Sequence, residues 1–454
     1  MKRTLIKNGL IVDMAEHTEQ ARKADILIED KYIKTIAGEI EAADDMEVIN
    51  AEGKIVMPGL IDTHRHTWES IIRHIGTDWS LPNYLGNLYF NQLGSRLSPD
   101  EYRTANTWGA LEALDAGVTT MLDYSMLETP EHADAAVQGL HDAGIRAVFA
   151  HGPSGRAEYW DRTSEKRHPQ DSRRVKKEYF QSGDQLLTMA LGIRGPEFSS
   201  WAAAVDDINT ARELDAIASM HIGFGSWGPE DQSIQRLHDA GLLGPDLNLV
   251  HMNRVQDHEY ELAAQSGASF SVTPEIEMMM GHGYPATGKM HKADGLVTLG
   301  VDVVVSTAGE MFSQMKFALQ AERARQNQKV LESGNMPENL GLTTTDVLTF
   351  STINGARALH LDKKTGTIET GKEADIILVS TDAFNMFPLN DKPVEAVVQS
   401  AKPENIDTVF VAGTKRKEKG RLLINNAEAL KKEVQEAGSS VLERQRRLEE
   451  SMQD

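Results

Sequence analysis

The sequence predicts an α/β chain in which a (β/α)8 TIM barrel carries a small β-sandwich domain built from both chain ends. Three observations predict it. Through the middle of the chain, strand-length apolar runs alternate with longer segments of helical spacing, as strands buried on both faces and joined by crossover helices do. At both ends the texture changes to short alternating runs with tight turns. Several of the middle runs close on His or Asp, where a barrel keeps its chemistry.

The first segment, TLIKNGLIVD and then ADILIEDKYIKTIAG, alternates apolar and polar residues around Asn-Gly and charged turns. That is the pattern of antiparallel hairpins, and it sets residues 1–56 as the first part of the sandwich. The barrel, residues 57–360, is then read from eight runs: KIVMPGLID, which enters it from Lys54, and GVTTMLDY, GIRAVFAHG, LLTMALGIRG, AIASMHIG, LNLVHMN, ASFSVTPE and LVTLGVDVVVS. Helical segments such as EYRTANTWGALEALDAG and HADAAVQGLHDAG lie between them. GTIETGKEADIILVS, VEAVVQS and IDTVFVAGTKR return to short strands over residues 361–424 and complete the sandwich, since chain termini commonly lie close together. Residues 425–454 are charged and helix-forming, a tail for the surface or an oligomer contact.

Composition narrows the function classes. Lys and Arg number 47 against 68 Asp and Glu, a net charge of -21 that argues against duplex nucleic acid or an anionic membrane as partner. The chain has no cysteine, so a metal must sit on His and carboxylate. No apolar run reaches the about 18 residues of a membrane span, and the N-terminus lacks a cleavable leader pattern. A cytoplasmic homo-oligomer acting on a small molecule is expected.

In PGLIDTHRHTWES a buried run breaks into His64 and His66. Residues two apart on a strand project to one side, so both imidazoles reach a common point. His221 closes strand five, His251 strand six and Asp302 strand eight. Several strand ends each offering His or Asp predict a metal centre: three imidazoles and a carboxylate suit one divalent ion, Zn before Fe, with a position open for water. A water bound there loses its proton near neutral pH and supplies a nucleophile.

From PGLIDTHRH through LVHMN and LGVD to INGARALHLDKKTGTIETGKEADIILV, the chain resembles the amidohydrolase superfamily. Within it, the branch of cytosine deaminase, methylthioadenosine and guanine-type deaminases and triazine hydrolases is most similar. The resemblance implies that His64, His66, His221 and Asp302 bind the metal. It also implies that Asp302 accepts the water proton and that His251 polarises the substituent of the electrophilic carbon. LLTMALGIRGPE contains no lysine, so the bridging carboxylated lysine of binuclear members has no candidate, and one ion per chain is expected.

The chain departs from the pattern at Phe224, three residues after His221, where deaminases of this branch carry a glutamate that protonates a ring nitrogen. TPEIEMMMGHGYP offers Glu275, Glu277 and His282 instead. Glu275, directly after Pro274 at the strand end, is expected to point into the pocket as the acid. Trp68, Trp227, Asn253 and His282 are expected to line the substrate site, and Met278 to Met280 suit an adaptable apolar lining. His151 ends strand three near the pocket, whereas Arg65 points away into a structural ion pair and His258 faces solvent. The expected reaction is metal-dependent hydrolysis of a C–N bond at an sp2 carbon of a small heterocyclic or aryl-bearing molecule, ring deamination first. Hydrolysis of an exocyclic amide, urea or carbamate comes second and triazine-type dechlorination third. A catalytically silent metal-binding scaffold is the alternative of another class.

Overall fold

A computed structural model describes residues 2–15 and 21–451, so residues 1, 16–20 and 452–454 of the predicted sandwich and tail lie outside the described residues. The chain divides into two compact units. The first comprises the described residues of Met1–Asp62, with Glu112–Thr120 and Glu310–Ile424. Its centre is a nine-stranded sheet drawn from both chain ends. Strand Lys54–Pro58 is the joint. On one side it pairs in parallel with Arg3–Ile11, Leu10 opposite Ile55; on the other it pairs antiparallel with Ile376–Ser380, Met57 opposite Ile377. Alternate residues of these strands bury Ile6, Ile26, Ile28, Val56, Ile376, Leu378 and Phe410 in one cluster. Each such side chain contributes about 1.5–3 kcal/mol on leaving water.

Two local expectations are corrected. Asn8-Gly9 is not a turn between runs, because Arg3–Ile11 continues through it as one strand. Asn8 takes a left-handed φ of 63°, its N–H donates to Asp25 Oδ1 at 2.8 Å, and the register shifts between Ile6 and Gly9. Any Cβ at Gly9 would stand 2.5 Å from Val56, so the pair makes a bulge that lets Lys54–Pro58 approach. VEAVVQS is not a strand but lies in the helix Pro393–Ser400. Pro393 opens that helix, and Pro393, Val397 and Val398 bury one face a turn apart.

The second unit comprises Thr63–Leu111, Met121–Gly309 and the described residues of Asn425–Asp454. Eight barrel strands run in chain order, from Leu60–Arg65 to Leu296–Leu299, each hydrogen-bonded to the next; the predicted first run KIVMPGLID is divided, since Lys54–Pro58 joins the chain-end sheet and the barrel strand begins only at Leu60. At the far end a parallel bridge between Arg65 and Asp302 brings the last strand back to the first. The barrel interior is satisfied by hydroxyls rather than left apolar: Thr63 Oγ1 lies 2.8 Å from Thr298 Oγ1, and Asn248 Nδ2 donates to Ser219 Oγ at 3.1 Å.

The C-terminal helix Ala427–Ser451 packs on the short 3-10 helix Thr67–Ile72 that follows the first barrel strand. Gly438 permits the contact, since a Cβ there would meet the Ile71 carbonyl oxygen at 2.3 Å. Arg444 ties the helix to the Arg96 carbonyl at 2.8 Å and to Glu101.

Candidate active site

The strand ends converge. His64 Nε2 and His66 Nε2 each lie 3.3 Å from Asp302 Oδ1, and His221 Nε2 lies 3.1 Å from His64 Nε2. The four ligating atoms fall within 4.8 Å of one another. Asp302 is fixed from both sides by backbone: its N–H donates to the His64 carbonyl at 2.8 Å, and its carbonyl accepts from His66 N–H at 3.0 Å. Asp302 and His251 both hold left-handed φ values, 66° and 79°, strain that concentrates where side chains must be aimed.

Burial, reinforced by the neighbouring His64 and His66, holds the His221 imidazole well below its usual pKa and keeps it neutral. Imidazole nitrogens, a buried carboxylate and converging lone pairs fit a divalent ion. Tyr124, at the end of the second barrel strand, packs its ring 4.7 to 5.3 Å from those of His64, His66 and His221 and donates its hydroxyl to the Ile193 carbonyl at 2.9 Å. Sequence reasoning passed over it. Its position at a strand end beside the ligand strand was the available signal.

His251 stands beside this cluster. Its Nε2 is 3.7 Å from Asp302 Oδ2, and its Nδ1 is 3.1 Å from Thr273 Oγ1 and 3.4 Å from Glu277 Oε1. His251, His282 and Asp302 form a second, smaller convergence that shares the aspartate. Glu277 is fully buried, accepts the Thr273 N–H at 2.9 Å, and is pushed up to about 8 chiefly by burial.

The Glu275 expectation is corrected here. Pro274 does not end an extended strand but opens the helix Pro274–Met280, which turns Glu275 outward to the Ala308 N–H at 3.2 Å. The same turn brings Ile276 and Met280 to the cavity and Glu277 behind His251. Glu275→Gln is therefore expected to leave kcat within about threefold, as substitutions away from buried networks do. Glu277→Leu, which strips an acceptor from Thr273 and His251, should lower kcat about tenfold to a hundredfold, the usual cost of losing a group that orients a working histidine. Glu277→Gln keeps an accepting oxygen and should stay within about threefold. Steady-state rates of the three variants check this.

The cavity in front of the cluster spans about 510 Å³ including its mouth. His282 and Phe224 line it, their rings stacked 5.3 Å apart at an interplanar angle of 24°. Trp68, Trp227 and Asn253 do not line it. Trp68 is fully buried in the core near Tyr102, because the chain enters a 3-10 helix straight after His66. Trp227 backs Phe224 at 5.1 Å and donates its Nε1 to Glu197 at 2.9 Å, while Asn253 donates to the Tyr284 carbonyl at 3.2 Å. Glu197, pushed up to about 7 by burial, also accepts the Gly223 N–H at 2.8 Å and so pins the loop that carries Phe224. His151 turns to His168 at 3.1 Å, Arg65 donates to the Gly309 carbonyl at 3.0 Å, and His258 is exposed.

Residues 55–416 match the model of the amidohydrolase family, a span that holds every residue of this cluster. The chain belongs to the amidohydrolase family. It is a metal-dependent hydrolase of carbon–nitrogen bonds other than peptide bonds, acting on a small molecule. The amidohydrolase is 27% identical to a 5′-deoxyadenosine deaminase of Methanothermobacter thermautotrophicus, over 86% of this chain and 88% of the relative. It is 25% identical to a 5-methylthioadenosine/S-adenosylhomocysteine deaminase of Thermoanaerobacter pseudethanolicus, over 98% and 99%. Its fold is that of an adenosine deaminase from Xanthomonas campestris with bound zinc, with a TM-score of 0.82 at 19% identity over 96% of this chain and 98% of the other. An atrazine chlorohydrolase from Arthrobacter aurescens complexed with zinc superposes with a TM-score of 0.81 at 18% identity, over 96% and 100%. No helix among the described residues is long and apolar enough to cross a membrane.

Proposed function

We propose that this amidohydrolase deaminates an aminated heteroaromatic ring with one divalent ion, zinc before iron, held by His64, His66, His221 and Asp302. The observation that carries the reading is the buried three-imidazole, one-carboxylate cluster that opens on an aromatic cavity. The deaminase names of relatives along nearly the whole chain support the choice of reaction. Bound there, the ion lowers the pKa of a water toward neutrality.

The chain's own residues do the rest. Asp302 takes a proton from the attacking water and passes it to the departing nitrogen. His251, oriented through Nδ1 by Thr273 and Glu277, presents Nε2 to the substituent on the attacked carbon. Phe224 and the other apolar walls exclude bulk water from the reacting atoms.

Phe224 also favours a second reading. Among the described residues lining the cavity, Asp302 is the sole carboxylate, so a leaving nitrogen that draws its proton from Asp302 alone is well served. An exocyclic amide, urea or carbamate fits that demand. A panel of ring amines, anilides, aryl ureas and carbamates, assayed for ammonia and for released amine, tests the choice. Ammonia from ring amines supports deamination; turnover confined to amides, ureas or carbamates overturns it. The proposal includes self-assembly, supported by the fully exposed Phe384 and the largely exposed Phe387. Light scattering of the purified chain reads its mass.

A further inference from the structure

The cavity wall is mostly aromatic and aliphatic. Trp160 Nε1 donates to the Ser154 carbonyl at 2.8 Å, and the Tyr84 hydroxyl donates to buried Glu69 at 2.7 Å. Both spend their polar atom within the protein and line the cavity with aromatic carbon. Leu81, Leu85, Phe90, Phe198, Ile276 and Met280 add only apolar surface. His282, which converges with His251 and Asp302, is 4% exposed, and its Nδ1 has no hydrogen-bond partner among the described residues. An imidazole there offers the ring edge of a bound molecule a polar contact.

Resting on the deamination reading, we infer that the substrate is a flat heteroaromatic amine bearing an apolar substituent and no sugar or charged group, its ring edge bonded by His282. The aromatic walls stack on such a ring and bury its substituent. A ribose fits poorly, since each hydroxyl enclosed without a partner lowers affinity by roughly tenfold to a hundredfold. The chain would thus differ in substrate from the nucleoside deaminases it is similar to.

Titration calorimetry on the full, metal-loaded chain tests this with two probes, 2,4-diamino-6-phenyl-1,3,5-triazine and 5′-deoxyadenosine. The phenyl triazine is expected to bind at least tenfold more tightly. His282→Ala should weaken it about tenfold while the ion content, measured on the same sample, stays unchanged. Equal or tighter binding of 5′-deoxyadenosine, or no binding of the phenyl triazine, overturns the inference. Unchanged affinity in the His282 variant overturns the assigned contact. Tight binding of the phenyl triazine without ammonia release upholds the substrate class and counts against deamination, so the two failures are distinguishable.

Discussion

Asp302→Asn is expected to lower kcat by about 100-fold to 10,000-fold while the chain keeps part of its bound ion. The two oxygens of Asp302 face different neighbours. Oδ1 lies against His64 and His66, and Oδ2 faces His251 at 3.7 Å and the Thr273 hydroxyl at 3.3 Å. An asparagine occupies the same volume and offers one ligating oxygen, so the cluster survives in weakened form. Its amide cannot take a proton from water, and the step that depends on that transfer fails. Rate and metal content measured on one preparation separate the two effects. Near-normal turnover in the variant would remove Asp302 from proton transfer.

The second large effect is expected for His221→Ala, which should lose the ion and with it all measurable turnover. His221 Nε2 is the contribution of strand five to a cluster whose other members come from the first and last strands. Its loss leaves two imidazoles and one carboxylate, and the fall in affinity should exceed the about 100-fold that removing an outer partner of a ligand costs. Thermal unfolding reports this independently of activity. An ion at 100 times its Kd stabilises a folded chain by about 2.7 kcal/mol. The wild-type chain should therefore melt at a higher temperature with zinc than with a chelator, and the variant should show no such difference. A variant that keeps the zinc-dependent shift would contradict the ligand assignment.

How much of this was legible in the sequence follows from which signals are periodic. Barrel strands are apolar runs that end where polar chemistry begins, so His64, His66, His221, His251 and Asp302 could be collected by position alone. Strand geometry does not extend past Pro274, so Glu275 turns away from the cavity. Thr273-Pro274 followed by an acid at position 277 is a helix-start pattern, and it was the available signal for Glu277. Trp68 turns into the core for the same kind of reason, as a 3-10 helix begins right after His66. Tyr84, Tyr89 and Trp160 reach the cavity from segments between barrel strands, where no sequence period says which side chain turns inward. Asn8-Gly9 read as a turn because the bulge and the hairpin use the same residues; only the close approach of Val56 distinguishes them.

Anomalous diffraction from crystals of the zinc-loaded chain, recorded at the zinc edge, tests the central claim most directly. The account predicts one full-occupancy peak per chain, bonded by His64, His66, His221 and Asp302. A second full-occupancy peak between His251, His282 and Asp302, or an active enzyme whose only zinc lies elsewhere, would contradict it.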